Sequence, residues 1–302
     1  MSTSGVQACG FAALIGAANA GKSTLLNVLI GSKLSIVTHK VQTTRARLRG
    51  IAVKNDTQII FVDTPGIFAP KKRLEKAMVA AAWAGVEEAD AVILIVDVQK
   101  GMNADLDPIL TGLEKLKTEP ILVLNKIDNI ERPRLLDLSA RLNERKKFAA
   151  TFMISALNGD GVADLLDYLA CRMPACAWLY PPDQLGDISE QLLACEITRE
   201  KIFLRLHEEL PYTTTVETES FKTLQDGSHR IEQVIYVSRP GHRAIILGKG
   251  GATIKALGQS ARLDMEKALG ARVHLFLRVK LMKNWTDDPE RYREMGLEFP
   301  KG

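Results

Sequence analysis

The first 180 residues alternate between two hydrophobic rhythms. Apolar runs of strand length occur at Phe11–Ile15, Thr57–Val62, Ala91–Val96, Pro120–Leu124 and Phe152–Ile154. Between them lie stretches with the 3.6-residue period of amphipathic helices, such as Glu75–Glu88 and Arg132–Lys147. Another helix opens at Gly21, with Leu25, Leu26, Val28 and Leu29 on its inner side. This alternation predicts an α/β domain with a mostly parallel sheet and helices on both faces. Tyr180–Gly186 has two prolines, a glycine and no period. It reads as a linker, which places domain 1 at 1–180, the linker at 181–186 and domain 2 at 187–302.

Past that segment the rhythm changes. Ile188–Leu210 carries one helical pattern, and Thr213–Leu224 and His229–Arg239 are strand patterns. They flank Gln225–Ser228, whose Asp-Gly pair is a hairpin signal. A turn at Pro240-Gly241, a short helical stretch, glycines at 248–251, a helix over Ala252–Leu269 and a strand over Ala271–Leu281 follow. The order α-β-β-α-α-β predicts a second, smaller α+β domain.

A length of 302 residues suits two domains, and 46% hydrophobic with 25% charged residues is the balance of a soluble globular chain. Met1–Gly5 and the last few residues read as disordered. The longest apolar run, Ala91–Val96, falls far short of the ~18 residues of a membrane-spanning helix. No secretory signal is seen at the N-terminus, so the expected location is the cytoplasm. The cysteines Cys9, Cys171, Cys176 and Cys195 form no CxxC pair, which argues against zinc and a disulfide framework and for buried, reduced thiols. Net charge is only +4, but from Arg239 to Lys283 ten basic residues face two acids, a local +8. Such an excess suits a polyanion, although a solvated helix face would look the same.

Four motifs carry the chemistry of the first domain. Gly16, Gly21, Lys22 and Ser23 match GxxxxGK[ST] between a predicted strand and a predicted helix. In such a loop backbone N–H groups, including those around Asn19 and Ala20, converge on phosphates, and the helix N-terminus adds a favourable field. Lys22 would reach the β- and γ-phosphates, Ser23 would ligate Mg²⁺, and Thr24 would touch the α-phosphate. Asn125-Lys126-Ile127-Asp128 selects the base. The Asp128 carboxylate can accept from guanine N1–H and the exocyclic amine, whereas adenine would leave it unpaired. Asn125 bridges loops and can meet guanine N7, and the Lys126 stem can cover the base face. The nucleotide is therefore GTP or GDP.

Asp63-Thr64-Pro65-Gly66 fits a DxxG element. Asp63 would hold Mg²⁺ through a water and the Gly66 N–H would bond the γ-phosphate, so hydrolysis frees the loop. Ser155-Ala156-Leu157 fits the loop whose N–H at Ala156 contacts guanine O6. The threonine completing the Mg²⁺ shell comes from Thr43-Thr44-Arg45, preferably Thr44, with Thr38 or a purely structural role for the segment as the alternatives.

With these elements in order, the first domain resembles the translation-factor branch of P-loop GTPases. In the second, Ile246-Leu247-Gly248-Lys249-Gly250-Gly251 contains the GxxG loop of a KH domain, in the type II order. A GTPase domain joined to one KH domain resembles the Era family of bacterial ribosome-assembly GTPases, as do Gln42–Arg45 and Glu209–Tyr212. The resemblance implies that Gly248, Lys249, Gly250 and Gly251 clamp RNA phosphates and that Ile245, Ile246 and Ile254 floor a base groove, with core packing the alternative for all three. Arg239 and Arg243 would bind phosphate or cover the surface. The implied partners are small-subunit ribosomal RNA, at its 3′ end, and the small ribosomal subunit; no obligate protein partner is readable. A competing reading is a signalling GTPase peripheral to the inner face of the membrane, its basic domain on anionic lipid. A third is an RNA-binding module without turnover. Ala18 and Ala20 replace the family's usual proline and valine. Ile67 stands where Ras-like enzymes have the water-orienting glutamine, which implies slow intrinsic hydrolysis. Asn19 occupies the position where some relatives bind K⁺; a loop-bracing role is the alternative.

Overall fold

A computed structural model describes residues 7–300 except 39, 41, 46 and 207–209. The tails read as disordered, Met1–Gly5 and Lys301–Gly302, and Glu209 of the family segment lie outside these residues. The chain forms two compact units. One comprises the described residues up to Ser35, Thr44–Asp187 and Tyr292 onward; the other comprises Ile36–Thr43 and Ile188–Arg291.

In the first unit six strands line up as β2-β3-β1-β4-β5-β6. These are β1 (Ala8–Ile15), β2 (Leu48–Lys54), β3 (Thr57–Asp63), β4 (Ala91–Asp97), β5 (Ile121–Asn125) and β6 (Ala150–Ile154). All neighbours are parallel except β2–β3. Four of the apolar runs become the central strands β3, β1, β4 and β5, covered on both faces as parallel pairing requires, and the fifth becomes the half-buried edge strand β6. Helices α1 (Lys22–Ile30), α2 (Arg73–Glu87), α3 (Asp107–Leu113), α4 (Arg132–Arg145) and α5 (Val162–Ala170) supply the cover. On α1, Leu25, Leu26 and Leu29 are buried, but Val28 is exposed, against the expectation. The antiparallel β2, with Arg49 and Gly50 inside it, and the short α3 and α5 are not foreseen by the apolar pattern.

Register decides where chemistry can occur. Leu14 pairs with Asp63, Ile15 with Leu94, Asp97 with Asn125, and Asn125 with Ile154. The loops after β1, β3, β4, β5 and β6 therefore leave one carboxyl edge of the sheet, where open α/β sheets bind ligands. The expected linker is not free. Ile51 N–H donates to the Leu185 carbonyl at 2.9 Å and Asp187 N–H to that of Arg49 at 3.0 Å, so 181–186 is stitched to β2. The unit boundary falls at Asp187, and residues from Tyr292 onward belong to the first unit rather than to a domain of 187–302.

The second unit has a three-stranded sheet, β7-β8-β9. Helix α6 (Glu190–Arg205) precedes β7 (Thr214–Thr223) and β8 (His229–Val237), and α7 (Pro240–Leu247) and α8 (Ala252–Leu269) precede β9 (Val273–Leu281). The β7–β8 pair is antiparallel and β8–β9 parallel. The expected turn at Pro240-Gly241 is instead the start of α7, with Pro240 at the first helical position, where its missing N–H costs nothing. The helix expected over Ile188–Leu210 ends at Arg205.

Candidate functional site

The loop after β1 is shaped by its glycines. Gly16 and Gly21 have φ of 156° and 101°, and a Cβ on Gly16 would lie 2.4 Å from the Ile95 carbonyl. Lys22 is buried, with Nζ donating to the carbonyls of Gly16 at 3.1 Å and Ala17 at 3.0 Å. Burial lowers its pKa to about 8, partly countered by the Asp63 charge. A buried ammonium on loop carbonyls is a cation ready for a stronger anionic partner.

Ser23, Thr44 and Asp63 converge as expected. Ser23 Oγ lies 2.9 Å from Thr44 Oγ1 and donates to Asp63 Oδ2 at 2.9 Å; Thr44 Oγ1 donates to the same oxygen at 3.2 Å. Asp63 is fully buried, which raises its pKa against the opposing pull of Lys22 and three hydroxyls. Its Oδ1 is buried with no hydrogen-bond partner among the described residues. Two hydroxyls and an orphaned carboxylate oxygen fit a hard cation with oxygen ligands such as Mg²⁺. The Thr43 hydroxyl meets Thr38 Oγ1 at 2.7 Å and donates to the Lys40 carbonyl at 2.6 Å. Beside the loop, a Cβ on Gly66 would come 3.1 Å from the Ala18 Cα. Ile67 is only 2% exposed and packs in the core, its N–H donating to the Gly16 carbonyl.

The base-reading loops are braced by Asn125. Its Nδ2 donates to the Ala20 carbonyl at 2.8 Å, and its Oδ1 accepts from the N–H groups of Lys126 at 2.8 Å and Ala156 at 2.9 Å. The Ala156 N–H expected at guanine O6 thus has the Asn125 side chain as its acceptor. Lys126 Nζ donates to Asp97 at 2.6 Å and to the Asn19 carbonyl at 2.9 Å, which lays its stem along the site. Ser155 Oγ donates to Asp128 Oδ1 at 2.6 Å and holds the exposed carboxylate, and Leu157 stands 78% exposed nearby in sequence.

In the second unit Gly248, Gly250 and Gly251 have φ of 72°, 60° and 79°. Nothing lies within 4 Å of a Cβ built on Gly250 or Gly251, so a ligand backbone can approach closely. Lys249, Arg239, Arg243 and Ile245 are exposed. Ile246 is fully buried in the core, which corrects its assignment to a groove floor. A groove of about 550 Å³ lies between α8 and the β8–β9 strands, with Ile254, Leu275, Phe276 and Leu277 among its apolar residues and Arg230, Lys255, Arg262 and Arg278 as cations beside Glu232. Of the residues expected at the groove, only Ile254 lines it. Two bases of the +8 stretch are neutralised by acids outside it, Arg278 by Glu232 at 2.6 Å and Lys280 by Glu219 at 2.7 Å, while Arg262 pairs with Glu266 inside it at 2.9 Å.

Residues 11–126 match the family described as 50S ribosome-binding GTPase, and residues 209–286 match the KH domain. The chain is 57% identical over 291 residues to GTPase Era of Mesorhizobium japonicum, covering 96% of this chain and 94% of that one. Against GTPase Era of Sinorhizobium medicae identity is 56%, covering 97% and 94%. The chain belongs to the Era GTPase family. A crystal structure of an Aquifex aeolicus Era variant bound to GDP·AlF₄⁻ superposes with TM-score 0.91 at 36% identity, covering 96% of this chain and 99% of that one. A structure of Era in complex with MgGDPNP and nucleotides 1506–1542 of 16S ribosomal RNA gives 0.90 at 36% identity, with the same coverage.

Within this Era chain, several site residues carry no motif signal. Asp97 ends β4 and receives Lys126; Lys100 Nζ donates to the Ala18 carbonyl at 3.2 Å; Ser35 donates to Asp63. Asp97 could have been found as an acid closing an otherwise apolar strand. Two of the four thiols, Cys171 and Cys176, are exposed, against the expectation of burial. Both lie past the end of α5, beyond the sheet's cover.

Proposed function

We propose that this chain binds and slowly hydrolyses GTP, and that it binds single-stranded RNA at the 3′ end of small-subunit ribosomal RNA during small-subunit assembly. The observation that supports it best is the Ser23–Thr44–Asp63 cluster, with its orphaned carboxylate oxygen, beside a lysine-bearing phosphate loop. The loop N–H groups and Lys22 take the phosphates, and Asp128, held by Ser155, reads the guanine edge. Ser23 and Thr44 would hold Mg²⁺ directly and Asp63 through a water, and the ion would neutralise charge on the β- and γ-phosphates. Ile67 faces the core, so position 67 offers no glutamine-like group to the attacking water, which supports slow intrinsic turnover. A potassium ion beside Asn19 would supply further positive charge, and a faster rate in K⁺ than in Na⁺ is the expected result.

The glycine loop and the α8–β9 groove take the RNA, with Lys249, Lys255 and Arg262 meeting phosphates. The test is binding of an oligonucleotide with the 3′ sequence of 16S ribosomal RNA, alongside GTP turnover. Replacing Lys249 and Gly250 by aspartate should abolish RNA binding and leave GTP binding intact. Unchanged RNA affinity would refute the clamp.

A further inference from the structure

Asp63 has a partner that none of the phosphate-site motifs foresees. Ser35 Oγ donates to Asp63 Oδ2 at 2.8 Å from a position only 1% exposed. The backbone of Ser35 is itself held from α1. Asn27 Oδ1 accepts from the N–H groups of Leu34 and Ser35, both at 2.9 Å, and Asn27 Nδ2 donates to the Ser35 carbonyl at 2.7 Å. One carboxamide thus fixes both the N–H and the C=O of a single residue. Asn27 lies four residues after Ser23, on the same face of the same helix. The Ser35 hydroxyl therefore sits in a frame tied to the helix that opens the phosphate loop.

The arrangement around Asp63 is lopsided. Three hydroxyls, from Ser23, Ser35 and Thr44, crowd Oδ2, while Oδ1 is buried without a partner among the described residues. On the metal-site reading given above, on which this inference rests, Ser23 and Thr44 turn oxygen lone pairs toward Mg²⁺. Ser35 has no such second duty and can donate to Asp63 in every state. A carboxylate pinned at one oxygen by a permanent donor presents its other oxygen in a fixed direction.

We propose that Ser35, clamped by Asn27, is a positioning residue for the magnesium site, holding one oxygen of Asp63 so that the other faces the metal's water. Loss of an outer-shell partner of this kind costs about 10–100-fold in metal affinity. A merely structural serine would alter stability and leave the Mg²⁺ requirement where it was.

The test follows the dissociation of a fluorescent GDP analogue from the full chain as Mg²⁺ is titrated. In Ser35→Ala the Mg²⁺ concentration for half-maximal retention should rise about 10–100-fold, while the rate in excess EDTA stays within about twofold of wild type. Ser23→Ala tests the underlying reading and should shift the midpoint too. A shift in Ser23→Ala with a wild-type midpoint in Ser35→Ala overturns the proposal and leaves the metal site standing. No shift in Ser23→Ala overturns both. Asn27→Asp keeps the acceptor for the two N–H groups and loses the donation to the Ser35 carbonyl, so it should shift the midpoint the same way by less. If thermal melting shows Ser35→Ala unfolded, an unshifted midpoint in Asn27→Asp overturns the proposal.

Discussion

Alanine at Gly21 would strike the phosphate loop and the base-reading loops at once. Gly21 has φ of 101°, where L side chains are strained, and an added Cβ would lie 2.1 Å from Asn125 Nδ2. Strain of that kind costs about 1–3 kcal/mol. To make room, Asn125 must withdraw from the Ala20 carbonyl and from the N–H groups of Lys126 and Ala156. A buried polar group left without its partner costs about 1–3 kcal/mol. Gly31→Ala is the reference for a left-handed glycine whose replacement meets no clash, with the milder strain of its smaller φ. Gly31 also has a left-handed φ, 67°, but its Cβ would meet nothing within 4 Å. It reports backbone strain alone. Nucleotide-free Gly21→Ala should therefore melt about 2–12 °C below Gly31→Ala, taking the lost bonds at about 2–4 °C per kcal/mol. Thermal unfolding followed by circular dichroism reads the difference. Equal melting points for the two variants would refute the bracing role given to Asn125.

Ser155→Ala frees the Asp128 carboxylate from the 2.6 Å bond that holds it. The preference for GTP over ITP should fall roughly fivefold, about 1 kcal/mol, in competition binding, and an unchanged ratio counts against the Ser155 role. Ile67→Gln should not accelerate single-turnover hydrolysis, because position 67 faces the core. It should instead destabilise by about 1–3 kcal/mol for a buried amide, and a faster enzyme would contradict the placement. A thiol reagent on the native protein should label exposed Cys171 and Cys176 quickly, half-buried Cys195 more slowly, and buried Cys9 only on unfolding. Burial raises the Cys195 pKa to about 12 from 9.0. Between those values the folded state keeps a proton that the unfolded state has lost, so this group's contribution to stability falls as pH rises from 9 to 12. Rapid labelling of Cys195 at pH 8 would show that burial misjudged.

What could be read from the residues alone follows from how each signal is encoded. Gly16–Ser23, Asp63–Gly66 and Asn125–Asp128 are local: the residues that do the chemistry sit together in the chain, at the end of a fully apolar strand. Order along the sheet then brings them to one edge. Ser35, Asp97 and Lys100 act across 28, 29 and 82 positions, and no spacing marks them. Strand β2 escaped because Arg49 and Gly50 break its apolar run, and its pairing with β3 rather than its own pattern makes it a strand. Ile245 and Ile246 are neighbours of one chemical type, and only the rotation of α7 decides that the first is exposed and the second is core. A motif specifies the Ala156 N–H as a base contact but says nothing of the Asn125 carboxamide, which accepts from the same donor.

The stitch between Gly50 and Gly186 also bears on solubility. Strand β2 is the outermost strand beside β3, and an open strand edge is a template for pairing with another copy. Here the chain covers that edge with its own segment, whose Leu185 and Asp187 take backbone bonds with Ile51 and Arg49. The approach is close enough that a Cβ on Gly186 would lie 2.7 Å from a Leu34 methyl, so glycine is what lets the cover seat. A first unit cut at residue 180 would lose this guard and self-associate through β2. One cut after Asp187 would keep this cover on β2.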